Sequence, residues 1–311
     1  MDGLLIVNKL PGITSHDVVE RVRRILKTRR VGHTGTLDPM ATGVLVLCIG
    51  RATKLTQFLQ SDTKEYVVEM QLGIRTDTQD STGKILSVVP CSITPGKMEK
   101  IFEEFRGNVW QVPPMTSAVK VGGRPLYKLA SRGREVKRPR RKVKIFELEL
   151  LKIDGDGHPR VKFRVKCSKG TYIRTLCADI GEVLGYGAHM SRLTRISCGN
   201  FHLDSALTLE KVQKLAEENY LHKAIIPMNK ALERYPFVLV KGDFKEKILN
   251  GVPLRAGMVE SRSQFIERNQ FIRLIDVQQG LLAIAKATTT FSDEVQIDPA
   301  RVIAKPVRVF C

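Results

Sequence analysis

Spacing that would hold a metal ion or a redox disulfide is missing from this chain. Its six cysteines (Cys48, Cys91, Cys167, Cys177, Cys198 and Cys311) are scattered with no Cys-x-x-Cys pair, the pattern of reduced core thiols. His16, His33, His158, His189, His202 and His222 stand at no ligand spacing with one another or with cysteine, so no metal is expected. Neither a Gly-x-x-x-x-Gly-Lys-Ser/Thr loop nor a strand-borne Gly-x-Gly-x-x-Gly occurs, and no cofactor is expected. No apolar run approaches the roughly 18 residues of a membrane-spanning helix. The opening Met1–Lys9 is too short and wrongly flanked for a secretory leader, so a cytoplasmic location is expected. Acidic residues are scarce as well: 32 Asp and Glu stand against 51 Lys and Arg, a net charge of +19. A surplus of that size calls for a polyanionic partner, nucleic acid before membrane. At 311 residues the chain has room for two domains, each able to bury a core.

What the sequence does have is concentrated between Gly32 and Gly43, Gly-His-Thr-Gly-Thr-Leu-Asp-Pro-Met-Ala-Thr-Gly, followed directly by the apolar Val44–Ile49. Glycines let the backbone turn sharply or approach a ligand closely, and Pro39 biases Asp38 toward an extended conformation. Asp38 is therefore presented from a shaped loop ahead of a buried strand, where chemistry commonly sits. A turn aspartate bonded to its own backbone would read the same way by composition alone.

Elsewhere Leu4–Val7 reads as a short strand, and Thr14-x-x-Asp17 as a capping box opening an amphipathic helix with Val18, Val19, Val22, Ile25 and Leu26 on one face. Alternation at Tyr66, Val68, Met70 and Leu72 predicts a half-buried strand. Pro95 begins a second helix that Gly107 can end. Strand patterns return at Phe146–Ile153 and Val161–Cys167, and a helix spans about Thr171 to Leu184 with Gly185 beyond it. Between Lys120 and Lys144 eleven basic residues face one acid, Glu135, and neither period holds. That segment, densest at Lys137–Lys142, is expected to be a long basic loop that grips phosphates and orders on binding. After about Arg234 short strands at Phe237–Val240, Phe271–Ile275, Leu281–Ala285 and Val307–Val309 predict a small β-barrel.

The Gly32–Leu45 stretch resembles, nearly residue for residue, the catalytic-loop motif of the TruB family of pseudouridine synthases. Val7–Gly12 with Thr14-Ser15, Lys64–Glu69, Val112–Lys120, Gly123–Lys128 and Ser168–Leu176 resemble further segments of that family in the family's own order. Ile248–Pro253 is similar to the entry of a PUA domain, an RNA-binding barrel. The resemblance implies an α+β fold: a mixed, mainly antiparallel central sheet over residues 1–234, with a thumb-like insertion at about 120–144, and a PUA-like barrel over 235–311. It implies isomerisation of the T-loop uridine at tRNA position 55, with the base flipped out, and allows an additional role in RNA folding.

The resemblance also assigns residues. Asp38 would act near C1′ of the uridine, by attack on the sugar, addition to the base or removal of a proton. Arg174 would keep Asp38 ionised and aimed, since a nearby cation lowers a carboxyl pKa. Tyr66 would stack on the base and assist proton transfer, and Tyr172 and Leu193 would wall the pocket. His33 would fill the space left by the flipped base. Lys9, Lys64, Arg124, Arg140 and Arg141 would contribute to the pocket or to phosphate contacts. Action on tRNA without a protein partner is expected, because the first motif begins at Leu4 and the basic arm is long; a monomer is expected as well. The rivals are the catalytic subunit of a guide-RNA complex, and an RNA-binding module with a vestigial catalytic loop.

Overall fold

The computed structural model describes residues 1–60, 63–117, 119–130, 133–290 and 298–310. Strands β1 (Gly3–Lys9), β2 (Val31–His33), β3 (Thr42–Ile49) and β4 (Lys64–Leu72) precede a hairpin of β5 (Ile74–Thr76) and β6 (Ile85–Val88). Then come β7 (Gly107–Gln111), the short pair β8 (Lys120–Val121) and β9 (Arg124–Pro125), β10 (Arg141–Asp154), β11 (Arg160–Cys167), β12 (Ala188–Cys198) and β13 (Phe201–His202). Nine of these form one sheet in the order β1-β3-β12-β4-β11-β10-β7, with β2 added on β3 and β13 on β12. The β3–β12 pair is parallel and the other pairs are antiparallel. The sheet is mixed and mainly antiparallel, as the sequence led us to expect.

Helices α1 (Ser15–Ile25), α3 (Pro95–Phe105), α5 (Ile173–Val183) and α6 (Leu209–Glu217) cover one face, with one-turn helices α2 (Thr56–Leu59) and α4 (Leu126–Ala130) in the connections. Thr14 and Asp17 form the expected capping box on α1, and its buried Val18, Val19 and Val22 lie on the face that meets the sheet. Met98 and Phe102 of α3 and Leu176 and Ile180 of α5 reach the same core, where Phe102 meets Phe163 edge to face at 5.3 Å. Each such fully buried side chain is worth about 1.5–3 kcal/mol of transfer free energy.

The alternation of β1 and β3 sends a second set, Leu4, Ile6, Val44, Val46 and Cys48, to the opposite face. There they pack against Ile275, Leu281, Ile284 and Phe310 of the C-terminal sheet. That sheet contains β14 (Phe237–Val240), β15 (Leu254–Arg255), β16 (Val259–Arg262), β17 (Phe271–Ile275), β18 (Leu281–Ala287) and β19 (Val302–Val309), in the order β15-β19-β18-β17-β14-β16. It curls into a nearly closed barrel around its own core, with the one-turn α7 (Lys245–Leu249) contributing Ile248.

One local expectation changes. The basic segment from Lys120 to Lys144 is not one featureless loop: it holds the β8–β9 pair and α4, and its last four residues belong to β10, where Arg141 pairs with Gln111. Within those last four residues only Val143 turns inward, while Arg141, Lys142 and Lys144 face solvent. The central strand β12 also escapes sequence reading, because register shifts after Met190 and Arg195 break its period of two.

Cys48, Cys91, Cys167, Cys177 and Cys198 are buried free thiols, while Cys311 lies outside the described residues. Among the described residues no helix is long and apolar enough to cross a membrane.

Candidate active site

A cleft of about 1020 Å³ opens where the loop between β2 and β3 meets β4, β12 and the start of α5. The loop is pinned from three sides. From β1, the Lys9 ammonium donates to the carbonyls of Leu10, Ile13 and Pro39 at 2.9, 2.7 and 3.0 Å. From α1, the Ser15 hydroxyl donates to the Leu37 carbonyl and accepts from the Leu37 amide at 3.1 and 2.8 Å. From β12, the Arg195 guanidinium donates to the carbonyls of Val44, Gly35 and Thr36 at 2.7, 3.1 and 3.5 Å. Gly43 is where β3 and β12 come closest: at φ +101° a Cβ would stand 2.2 Å from the Arg195 carbonyl, so only glycine fits. Buried cations that cap several carbonyls cost desolvation but fix a single loop shape, because each orphaned carbonyl would otherwise go unpaired.

The loop holds Asp38 at the cleft with its side chain 32 % exposed. Arg174, the second residue of α5, meets it with Nε 3.0 Å from Oδ2 and Nη2 3.2 Å from Oδ1, a fork-to-fork pair. The same guanidinium donates to the Thr116 hydroxyl and carbonyl and lies 3.5 Å from Asp80 Oδ2. A cation in the first turn of a helix opposes the helix dipole, and here two carboxylates offset that. Gln111, buried on β7, clamps the backbone just ahead of Arg174, donating to the Tyr172 carbonyl and accepting from the Tyr172 amide.

Burial pushes the Asp38 carboxyl above its ordinary value; Arg174 pulls it down and the nearby Asp80 pushes it up again. Arg174 lowers the carboxyl pKa in the expected direction, but desolvation outweighs it, so Arg174 limits the rise.

Tyr66 is buried on β4, directly opposite Arg195 of β12. Burial raises its phenol above the ordinary tyrosine value while Arg195 pulls it down. Leu193 lies beside it on the inward face of β12, and Tyr172, His33, Lys64 and Arg141 complete the expected set at the cleft. Burial lowers the His33 pKa, with Arg195 adding to the effect, and among the described residues its inward Nδ1 has no hydrogen-bond partner. Lys64 donates to the Gln60 carbonyl at 3.0 Å, and burial lowers its pKa.

Three expected residues lie elsewhere. Lys9 is 0 % exposed and spends its ammonium on backbone carbonyls, so it shapes the Asp38 loop instead of meeting a phosphate. Burial brings its pKa down to about 8. Arg124 on β9 and Arg140 just before β10 are exposed outside the cleft lining. Sequence reading missed Asp80, Arg195, Thr116 and Gln111. All but Asp80 fell inside or beside segments it had weighed, but nothing local marks an Asp or Arg as one that will be buried.

The geometry offers a carboxylate, a phenol and shielded cations in a partly apolar hollow. A carboxylate so placed can stabilise or capture positive charge developing on an anomeric carbon. Among the described residues no three His, Cys, Asp or Glu side chains gather as a metal site.

Comparison with known proteins follows the same lines. Residues 23–173 match the family model for the TruB family pseudouridylate synthase N-terminal domain, and residues 174–233 that for the tRNA pseudouridylate synthase B C-terminal domain. The tRNA pseudouridine synthase B of Clostridium kluyveri is 46 % identical over 282 residues, 88 % of this chain and 94 % of that protein. That of Oceanobacillus iheyensis is 41 % identical over 313 residues, 100 % of this chain and 98 % of that protein. Among solved structures, a Cbf5-Nop10-Gar1 complex matches with a TM-score of 0.77 at 31 % identity, over 99 % of this chain and 85 % of that one. An H/ACA RNP bound to a substrate RNA containing 2'-deoxyuridine matches at 0.77 and 28 % identity, with the same coverage.

Proposed function

The chain belongs to the TruB family of pseudouridine synthases, and from that premise we propose that it isomerises the T-loop uridine at tRNA position 55, acting alone. The observation that carries this reading is the two-point grip of Arg174 on Asp38 in the cleft. Pseudouridine formation breaks the C1′–N1 bond, turns the base and joins C1′ to C5, and needs neither a redox partner nor a group donor. Positive charge developing at C1′ is what the Asp38 carboxylate would meet. Tyr66 would lie against the detached base, with Leu193 and Tyr172 limiting its movement. A base inside a folded loop must be extruded to reach Asp38, at a cost of a few kcal/mol. The +19 net charge supplies phosphate contacts that offset this cost, with a strong dependence on salt. The barrel after about residue 234 would serve as the PUA-like RNA-binding domain, and a folding role for the bound RNA can accompany catalysis.

Action without a guide RNA is favoured because the relatives named tRNA pseudouridine synthase B are 41–46 % identical, against 28–31 % for the H/ACA neighbours. The purified chain incubated with unmodified tRNA should place pseudouridine in the T-loop, and Asp38→Asn should bind the tRNA and leave it unchanged. Modification only after a guide RNA and partner proteins are added would overturn the stand-alone reading. Full activity of Asp38→Asn would overturn the assignment of the carboxylate.

A further inference from the structure

The chain has a single tryptophan, and it is not in the core. Trp110 lies on β7, the edge strand of the nine-stranded sheet, and is 60 % exposed. Its neighbours Val109 and Gln111 turn inward, so the indole stands on the sheet face opposite the helices. Directly across on β10 is Lys142, which also lines the cleft that holds Asp38. Two residues on, the Lys144 ammonium sits 5.2 Å above the ring of Phe146, itself 42 % exposed.

The charge along this face is uneven. Farther from Trp110, Lys166 pairs with Glu147 and Arg164 with Glu149. At the Trp110 end, among the described residues, neither Lys142 nor Lys144 has an acidic partner within ion-pair distance. An exposed edge-strand indole is an aggregation liability that natural sheets usually blunt. A flat ring beside unpaired cations, continuous with the catalytic cleft, instead has the chemistry of a nucleobase-stacking platform with phosphate contacts.

We propose that Trp110 stacks on an unpaired nucleotide of the RNA substrate next to the segment held in the cleft, while Lys142 and Lys144 hold the flanking phosphates. The proposal rests on the reading of this chain as a tRNA-modifying enzyme. It extends from the margin of the cleft at Lys142 onto the open sheet face, and acts on affinity and not on the chemical step.

The single tryptophan makes its own reporter. Saturating unmodified tRNA should strongly quench the emission of the full-length protein, because a stacked base quenches an indole. Trp110→Ala should weaken tRNA binding by about 10-fold in a filter-binding titration, in keeping with the loss of one base stack. Its single-turnover rate at saturating tRNA should equal wild type. Trp110→Phe should restore most of the affinity, which a merely structural role for an exposed side chain would not require. Circular dichroism and the urea midpoint of each variant check the fold. Unaltered emission at saturating tRNA, or a Trp110→Ala affinity within twofold of wild type in an enzyme that modifies tRNA, would overturn the platform alone. A wild-type chain that neither binds nor modifies tRNA would instead overturn the functional reading beneath it.

Discussion

Arg174 reaches Asp38 with two nitrogens, Nε to Oδ2 at 3.0 Å and Nη2 to Oδ1 at 3.2 Å, while its third nitrogen is turned toward Thr116 and Asp80. All three nitrogens of one planar group are therefore in use, and no other side chain can reproduce that pattern. Arg174→Lys keeps the charge but has one point where the fork had three. Loss of a buried bidentate contact is worth about 3 kcal/mol, so the single-turnover rate should fall by about two orders of magnitude. Turnover near wild type in that variant would sink the assignment of Arg174 as the group that aims Asp38.

The pH dependence follows from the same cluster. In the proposed reaction only the ionised Asp38 meets the developing cation, so activity should fall as pH falls through the Asp38 pKa. Burial raises that pKa, so the acid limb of kcat/KM should lie above the ordinary carboxylate value of 3.8. The Asp80 charge contributes to the rise, and Asp80→Asn removes it while leaving Oδ1 to accept from Thr78 and Thr82. The limb of Asp80→Asn should therefore move to lower pH, and the plateau should drop because Arg174 loses one flank. Arg174→Met should move the limb the other way. Limbs that coincide in all three proteins would mean that Asp38 does not govern the profile.

The contrast between Asp38 and Asp80 indicates how far a sequence can be read. Asp38 stands among glycines ahead of an apolar strand, a local pattern that announces a shaped loop. Asp80 belongs to a turn between β5 and β6 and becomes part of the site only because Met190 of β12 hydrogen-bonds that turn. The strands with unbroken alternation, β4 and β11, were legible for the same local reason, as were the capped helices α1 and α3. Strand β12 was not, since its bulges destroy the period, and with it went Arg195. Lys9 reads as a surface cation until the fold buries it against three carbonyls contributed by two loops. Local pattern reveals elements and the main site loop; burial of charge depends on distant segments and stays hidden.

Tyr66→Phe separates stacking from hydroxyl chemistry. The ring and its buried position opposite Arg195 are retained, so RNA affinity should stay within about twofold of wild type. The hydroxyl contact to Arg195 is lost, and any step in which that hydroxyl moves or orients a proton should slow by about 10²-fold, the scale of one general acid–base contribution. Equal single-turnover rates for the two proteins would restrict Tyr66 to a wall of the pocket.

Lys9 tests whether the loop that carries Asp38 depends on a buried cation. Lys9→Met matches the stem in volume but leaves the Leu10, Ile13 and Pro39 carbonyls without their donor. Gly12 N–H still donates to Pro39 at 3.0 Å, so that carbonyl keeps one partner and the other two bear most of the loss. A carbonyl left without a donor away from water costs about 1–3 kcal/mol; the exposed Leu10 can take water in place of Lys9, and removing the desolvated ammonium returns part of the loss. The expected net loss is about 2 kcal/mol in the urea midpoint, with faster amide exchange confined to the residues around Asp38. Activity should fall further than stability, because a loop displaced by about 1 Å costs roughly 10²-fold in rate. An active Lys9→Met with unchanged exchange would show that Ser15 and Arg195 hold the loop without it.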